Sequence, residues 1–431
     1  MYKKDEINME LCKYSKIGNV KVFEIAMVQA VEPLVIRANV GDCIKLRITN
    51  TDTETVVERF FISDKPDTIL LHDQLFNNIN KQYELFGALI IEEIGTTFHN
   101  PKNGKELYSG TQAVIRRENG TAFREFVLFV NDLGINYRAE PMKKRLCKKE
   151  DLAYIFSSYI HGDPTTPILE TYPRDELIIR LINGTDEAKC SLNIMGMSWR
   201  KELADIKPTF TSSQIFSFNF NITEKYGAGD YLYYLGEIDD AWRGLWGIIR
   251  VHKKYIKNLK PLYQEKDIIN ALPFYPSKNE VIRRYEVVAV HNSDKLIFVS
   301  LKDINNVLAG KHMSKPMILR ANKGEWIEVT LHNALDLKHP IPHFSYPRVP
   351  VNKEYKPSMR VSMNPQFLRY DPIYNSGINV GYNEMEQTVG VGETKRYLWY
   401  ADKEYGVCAI QSFGDIQNHR YNGLFGAIIV E

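Results

Sequence analysis

The chain has 431 residues, 44% hydrophobic and 25% charged, an ordinary globular composition with room for several domains and no tract that calls for long disorder. Lys plus Arg total 55 against 53 for Asp plus Glu, and the resulting net charge of +2 gives no electrostatic case for a nucleic-acid or membrane partner. Cys12, Cys43, Cys147, Cys190 and Cys408 lack CxxC spacing, which argues against a zinc knuckle and favours reduced thiols over a disulfide framework.

The first strong element is PLVIRANVGDCIKLRITN, from Pro33 to Asn50, whose branched residues and partial alternation predict strands. The phrase returns as PMILRANKGEWIEVTLHN, from Pro316 to Asn333. A looser copy, PILETYPRDELIIRLIN, runs from Pro167 to Asn183 and keeps the opening proline, an acidic residue before the apolar run and the closing asparagine. Each copy is answered downstream by a closing phrase: ELFGALIIEE, GLWGIIRVHK and GLFGAIIVE. The units are long enough to bury cores of their own, so the repeat reports duplicated domains and not a short-period solenoid. Residues 96–122 and 253–282 read as packed linkers, giving units at 1–122, 123–282 and 283–431. Helix signals are few, and the expectation is an all-β chain of antiparallel sandwiches with Greek-key connections.

Tandem units closing on G-L-[FW]-G-x-[IL]-[IV] resemble the cupredoxin domains of the multicopper oxidase superfamily. The phrases SSYIHGDPTTPILETYP, GDYLYYLGEIDDAWRGLWGIIRV and RVSMNPQFLRYD resemble large bacterial multicopper-oxidase-like proteins more narrowly. The resemblance implies three tandem cupredoxin-like sandwiches. It also implies a mononuclear copper held by Cys and His and a trinuclear cluster held by eight His, because thiolate tunes the electron-accepting copper and imidazoles suit the coppers that reduce dioxygen.

The chain has ten histidines and no H-x-H pair. In unit one His72 survives, while Gln74, Asn80 and Tyr83 stand at later ligand-like places. Met195 precedes Gly196 where the family has histidine, and Ser362 and Asn364 lie where an H-x-H strand is expected. In the last loop Gln411 takes a ligand-like place, His419 survives and Cys408 is displaced. His72 and His419 are thus candidates for one residual copper between units one and three, with Cys408 as a further candidate ligand. The blander reading makes each a partly buried imidazole hydrogen-bonded to Asp73 or Asp415. His339 and His343 form an H-x3-H pair on a proline-rich loop, a weak metal site or a turn packed on Phe344 and Tyr346. His161 reads as a turn organiser, the tyrosine and tryptophan clusters as core, and Glu237, Asp239 and Asp240 as a solvated face.

The function expected is therefore a multicopper-oxidase-like pseudoenzyme with degenerate copper sites and no cofactor, serving as a binding or assembly protein. The alternative is a copper-dependent oxidase using a residual or rebuilt metal site on a peptide, phenolic or metal-ion substrate, as a single chain or as one subunit of a split oxidase. A protein partner or homo-oligomer is expected. Without an apolar signal core or a bilayer-length apolar run, the chain is expected in the cytoplasm, and the N-x-T triplets at Asn119, Asn183 and Asn221 read as chance.

Overall fold

The computed structural model describes residues 12–27, 32–50, 56–72, 86–131, 134–135, 138–146, 151–183, 191–197, 214–222, 227–264, 274–293, 295–311, 315–343 and 355–431. Unit one contributes β1 (Cys12–Ile17), β2 (Val20–Met27), β3 (Leu34–Asn39), β4 (Cys43–Asn50), β5 (Val56–Phe61), β6 (Asp67–His72) and β7 (Phe86–Glu92). Unit two contributes β8 (Thr97–His99), β9 (Gln112–Arg116), β10 (Ala122–Asn131), β11 (Gly134–Ile135), β12 (Leu169–Thr171), β13 (Glu176–Asn183), β14 (Leu192–Ile194), β15 (Ile215–Asn221), β16 (Gly229–Leu235) and β17 (Trp246–Val251). Unit three contributes β18 (Ile282–Asn292), β19 (Lys295–Ser300), β20 (Met317–Ala321), β21 (Trp326–Asn333), β22 (Asn364–Pro365), β23 (Arg369–Tyr370), β24 (Thr394–Tyr400), β25 (Gly406–Gln411) and β26 (Phe425–Val430).

Each unit is a pair of sheets, ordered β1-β2-β4-β5 with β3-β7-β6, β15-β13-β10-β9-β8 with β12-β17-β16-β14, and β19-β18-β21-β24-β23 with β20-β26-β25-β22. The all-β class of tandem sandwiches is therefore what the chain forms. The sheets are mixed where antiparallel ones were expected. The reason lies in the repeated phrase, which is not a single strand: its first half enters one sheet and its second half the other. The first half pairs parallel with the closing strand, as β3 with β7, β12 with β17 and β20 with β26. The second half pairs parallel with the strand before the phrase, as β4 with β2, β13 with β10 and β21 with β18.

The acidic residue in the phrase fastens the corner where the chain changes sheets. The Asp42, Asp175 and Glu325 carboxylates accept the backbone N–H three residues earlier, from Asn39 (2.6 Å), Tyr172 (3.0 Å) and Asn322 (2.7 Å). Each also pairs with a cation on the preceding strand: Lys21, Arg124 or Arg283. Gly41 and Gly324 supply positive φ at this corner (81° and 85°), and unit two places Arg174 there at φ 70°. That substitution is one reason its copy of the phrase reads weakly.

Residues 96–122, expected to leave unit one as a linker, instead supply β8 and β9 to the sheet of unit two. The segment also bridges back, with Ser109 paired to Ile36 and the Gly110 N–H donating to the Val35 carbonyl at 3.0 Å. Leu259 and Leu262, from the second expected linker, are buried, and the Lys260 carbonyl accepts from Arg124.

The seams between units are packed like domain interiors. Val35, Ala88 and Ile90 of unit one meet Val127, Phe129 and Ile182 of unit two. At the second seam Phe156, Trp246 and Ile248 of unit two meet Ile378, Val380, Phe413 and Ile416 of unit three. No described helix is long and apolar enough to cross a membrane.

Candidate functional site

The last unit ends in β25, a loop over 412–417, helix α4 (Asn418–Tyr421; the earlier α-helical turns among the described residues are α1, Met142–Leu146, α2, Ser158–His161, and α3, Ile304–Leu308) and β26. The strands bury alternate apolar residues, so the loop between them is drawn down against the segment 358–364 and its polar groups need partners inside the fold. Asp415 answers that need: its carboxylate accepts the N–H groups of Ser358 (3.1 Å) and Asn418 (3.0 Å) and the Asn418 side-chain amide (2.9 Å).

His419, fully buried, occupies the centre of this lattice. Its Nε2–H donates to the Ser358 carbonyl at 2.7 Å, and Nδ1, 2.8 Å from Ser412 Oγ, accepts from that hydroxyl. The Ser412 hydroxyl oxygen in turn accepts the Ser362 N–H at 3.0 Å, and Ser362 Oγ accepts the Phe413 N–H at 2.8 Å. Burial, only partly opposed by the Asp415 charge, pushes the His419 pKa down from its ordinary value and keeps the ring neutral. Both ring nitrogens are thus spent on protein groups. The bond expected from a neighbouring carboxylate is made elsewhere, because Asp415 uses its backbone carbonyl, not its side chain, to accept the His419 N–H at 3.0 Å.

The other candidates are dispersed. Cys408 is fully buried in the core of unit three, opposite Ile428, and burial pushes its thiol up to about 12, away from the thiolate a copper requires. His72 ends β6 opposite Phe86 in register; its side chain and residues 73–85, including Asp73, Gln74, Asn80 and Tyr83, lie outside the described residues, as do Phe344 and Tyr346. His339 and His343 are exposed on the loop after β21. His339 Nδ1 lies 2.7 Å from Asp336 Oδ2, and the Asp336 N–H donates to His291 Nδ1 at 3.1 Å.

Among the described residues no group of three or more His, Cys, Asp or Glu side chains is arranged to hold a metal ion. Met195, Ser362, Asn364 and Gln411 are brought into one neighbourhood at the second seam. Met195 joins the apolar cluster with Phe413 and Ile416, and Gly196 has no room for a Cβ, which would stand 2.5 Å from the Tyr370 ring. The Asn364 amide donates to Tyr370 Oη (3.0 Å) and to the Ser376 carbonyl, while Asn364 and Gln411 are register partners of β22 and β25.

A polar group that the sequence did not single out lies beside the lattice. Glu386 accepts from the Tyr154 hydroxyl of unit two, the Thr388 N–H (2.8 Å) and hydroxyl, and Asn379 Nδ2 (3.0 Å). Burial alone would raise its pKa, but hydrogen bonds from Thr388, Tyr154 and Asn379 outweigh it and hold the carboxylate ionised. Arg360 donates from Nε to Thr388 Oγ1 (2.8 Å) and from Nη2 to the Thr388 carbonyl (3.1 Å). Asp151, Leu152, Lys356, Ser358, Met359 and Arg360 line a cleft of about 310 Å³ at this seam. The only sequence signal for it is the basic, proline-marked start of YKPSMRVSM.

No family profile and no curated protein matches the chain. Among solved structures it is similar to a laccase from Pediococcus acidilactici at 13% identity, over 97% of this chain and 92% of that one, with a TM-score of 0.31. It is similar to a laccase from Botrytis aclada at 11% identity, over 97% and 86%, with a TM-score of 0.32. A copper nitrite reductase from Nitrosomonas europaea is 17% identical over 71% of this chain and 93% of that one, with a TM-score of 0.23. At these values the likeness carries no inference about activity.

Proposed function

We propose that the chain is a binding or assembly protein on a multicopper-oxidase-like frame whose copper sites are degenerate. The observation that carries this reading is His419, whose ring nitrogens are both committed to protein hydrogen bonds inside a closed lattice of Ser358, Ser412, Asp415 and Asn418. A copper ligand needs an available imidazole lone pair or a thiolate. Binding metal at His419 Nδ1 would break the bond from Ser412, and Cys408 is held as a buried thiol. Among the described residues the donor set does not fit the family's coppers.

A cytoplasmic location and a protein partner or second copy belong to the same reading. Its test is metal analysis of protein expressed with added copper, together with dioxygen uptake in the presence of a phenolic reductant. The expected result is no stoichiometric copper and no uptake. Several coppers per chain with dioxygen-dependent oxidation would overturn it.

One observation favours the alternative of a rebuilt single-metal site. Asp336 holds His339 through Nδ1, which leaves Nε2 for a ligand, the arrangement by which carboxylates orient metal-binding imidazoles. With only His343 nearby in sequence, such a site would retain a borderline divalent ion weakly. Retention abolished by His339→Ala would support it.

A further inference from the structure

We propose that the outer face of the β20-β26-β25 sheet of unit three is a self-association surface that pairs with the same face of a second copy of this chain. In register, Ile318, Ala427 and Ala409 form one row across the three strands, Ile429 and Val407 stand side by side in the next, and Phe425 precedes Ala427 by two residues on the same side. The alternate residues Leu319, Ile428 and Cys408 point the other way, into the core. Ile318 is 57% exposed, Val407 67% and Phe425 39%. Single exposed apolar residues are ordinary, but a contiguous apolar face marks an interaction site.

The repeat supplies the comparison. Counted from the closing-strand glycines Gly87, Gly247 and Gly426, Ile318 and Ala427 take the places of Val35 and Ala88 in unit one and of Ile168 and Ile248 in unit two. In unit one that face is buried against Val127, Phe129 and Ile182 of unit two. In unit two it lies beneath Phe156 of its own unit and Ile378, Val380 and Phe413 of unit three. The third copy keeps the same apolar chemistry with nothing among the described residues laid over it.

A head-to-tail copy of the first seam does not suit this face. At the places of Val127 and Ile182, counted from the asparagine that closes the phrase, unit one has Glu24 and Thr49, and unit three has Glu286 and His332. Glu24 pairs there with Arg47 at 3.5 Å, and Glu286 with His332 at 3.6 Å. An apolar face set on either pair strips water from charges and offers no partner in return. Such a contact also grows into open filaments. The same face of a second copy is self-complementary instead: apolar meets apolar, and Ala409 and Ala427 keep its centre flat enough for two sheets to pack face to face. A two-fold axis through the face then closes the pair. Three strands make a patch smaller than the roughly 800 Å² per partner of a standard interface, so the dimer is weak and exchanges with the monomer.

The test is sedimentation equilibrium of the full chain from about 2 µM to about 500 µM, a range that spans weak association. The weight-average mass is expected to climb from one chain of 49.9 kDa toward two and no further, and to be unmoved by about 0.5 M salt because the contact is apolar. Val407→Lys and Ile318→Lys, at exposed positions on different strands, are each expected to raise the dissociation constant at least about tenfold. Leu337→Lys, at an exposed apolar position on the loop after β21, leaves it unchanged. Thermal melting by circular dichroism separates loss of the surface from loss of the fold. A mass fixed at one chain throughout, growth beyond two chains, loss of the dimer in salt, or folded variants that associate as tightly as the native chain overturns the proposal. Self-pairing rests on the assembly reading above and names its partner, yet the two fail separately. A copper-bearing oxidase that dimerises overturns that reading alone, and a copper-free monomer overturns this one alone.

Discussion

His419 makes three hydrogen bonds through its ring and backbone amide, and it is neutral in the folded chain. In the unfolded chain the same ring takes up a proton near pH 6.5, whereas burial lowers its folded pKa. Its contribution to stability is thus complete above about pH 6.5 and is lost as the pH falls below it, at up to about 1.4 kcal/mol per pH unit. His291, also shifted downward by burial and by the charge of His339, adds in the same direction. Urea unfolding should show a steeper fall from pH 7.5 to 5.5 for the native chain than for His419→Asn, and identical slopes would contradict the burial account. That a histidine survived in this loop was legible in the sequence. What it bonds was not, because Ser358 lies 61 positions away and contributes a backbone carbonyl, a group every residue type possesses.

At the scale of elements, the repeated phrase proved more informative than its reading as a strand allowed. Alternating branched residues located the strands, but periodicity cannot say that a glycine-marked corner sends the two halves into different sheets. The corner acid, visible as Asp42, Asp175 and Glu325, is what fastens that change of sheet. Unit two places Arg174 in the left-handed region that glycine occupies in the other two units. Arg174→Gly should therefore stabilise the chain by about 0.5–1 kcal/mol, since a side chain pays a steric penalty at positive φ. A shift of the urea midpoint to higher concentration checks this, and a clear downward shift would mean that the arginine's own contacts outweigh its backbone strain. The misplacement of residues 96–122 has a similar cause: β8 and β9 are short, and their glycine, proline and asparagine punctuation reads as a linker until pairing partners are known.

For the molecule as a whole, the units are joined by charge as well as by apolar packing. Arg180 of unit two contacts Glu125 of its own unit and, across the seam, Glu92 and Thr68 of unit one, while Glu125 also holds Arg37. Glu125 is fully buried and Glu92 nearly so. Removing the shared cation leaves two buried carboxylates short of a partner, so Arg180→Met should cost about 3–5 kcal/mol and loosen both units together. Hydrogen exchange should rise in β3, β7, β10 and β13 alike; a rise confined to unit two would show that the seam does not couple them. This network joins positions up to 112 apart in sequence, which is why counting charges in the sequence could not reveal it.

The most direct measurement is the copper content of the native chain after reconstitution with excess Cu(I), removal of loosely held metal and reoxidation to Cu(II) in air, read with the visible absorption spectrum. With both His419 nitrogens committed and Cys408 protonated, no stoichiometric copper and no thiolate-to-copper colour are expected. Three or more coppers per chain with that colour would contradict the proposed loss of the copper sites.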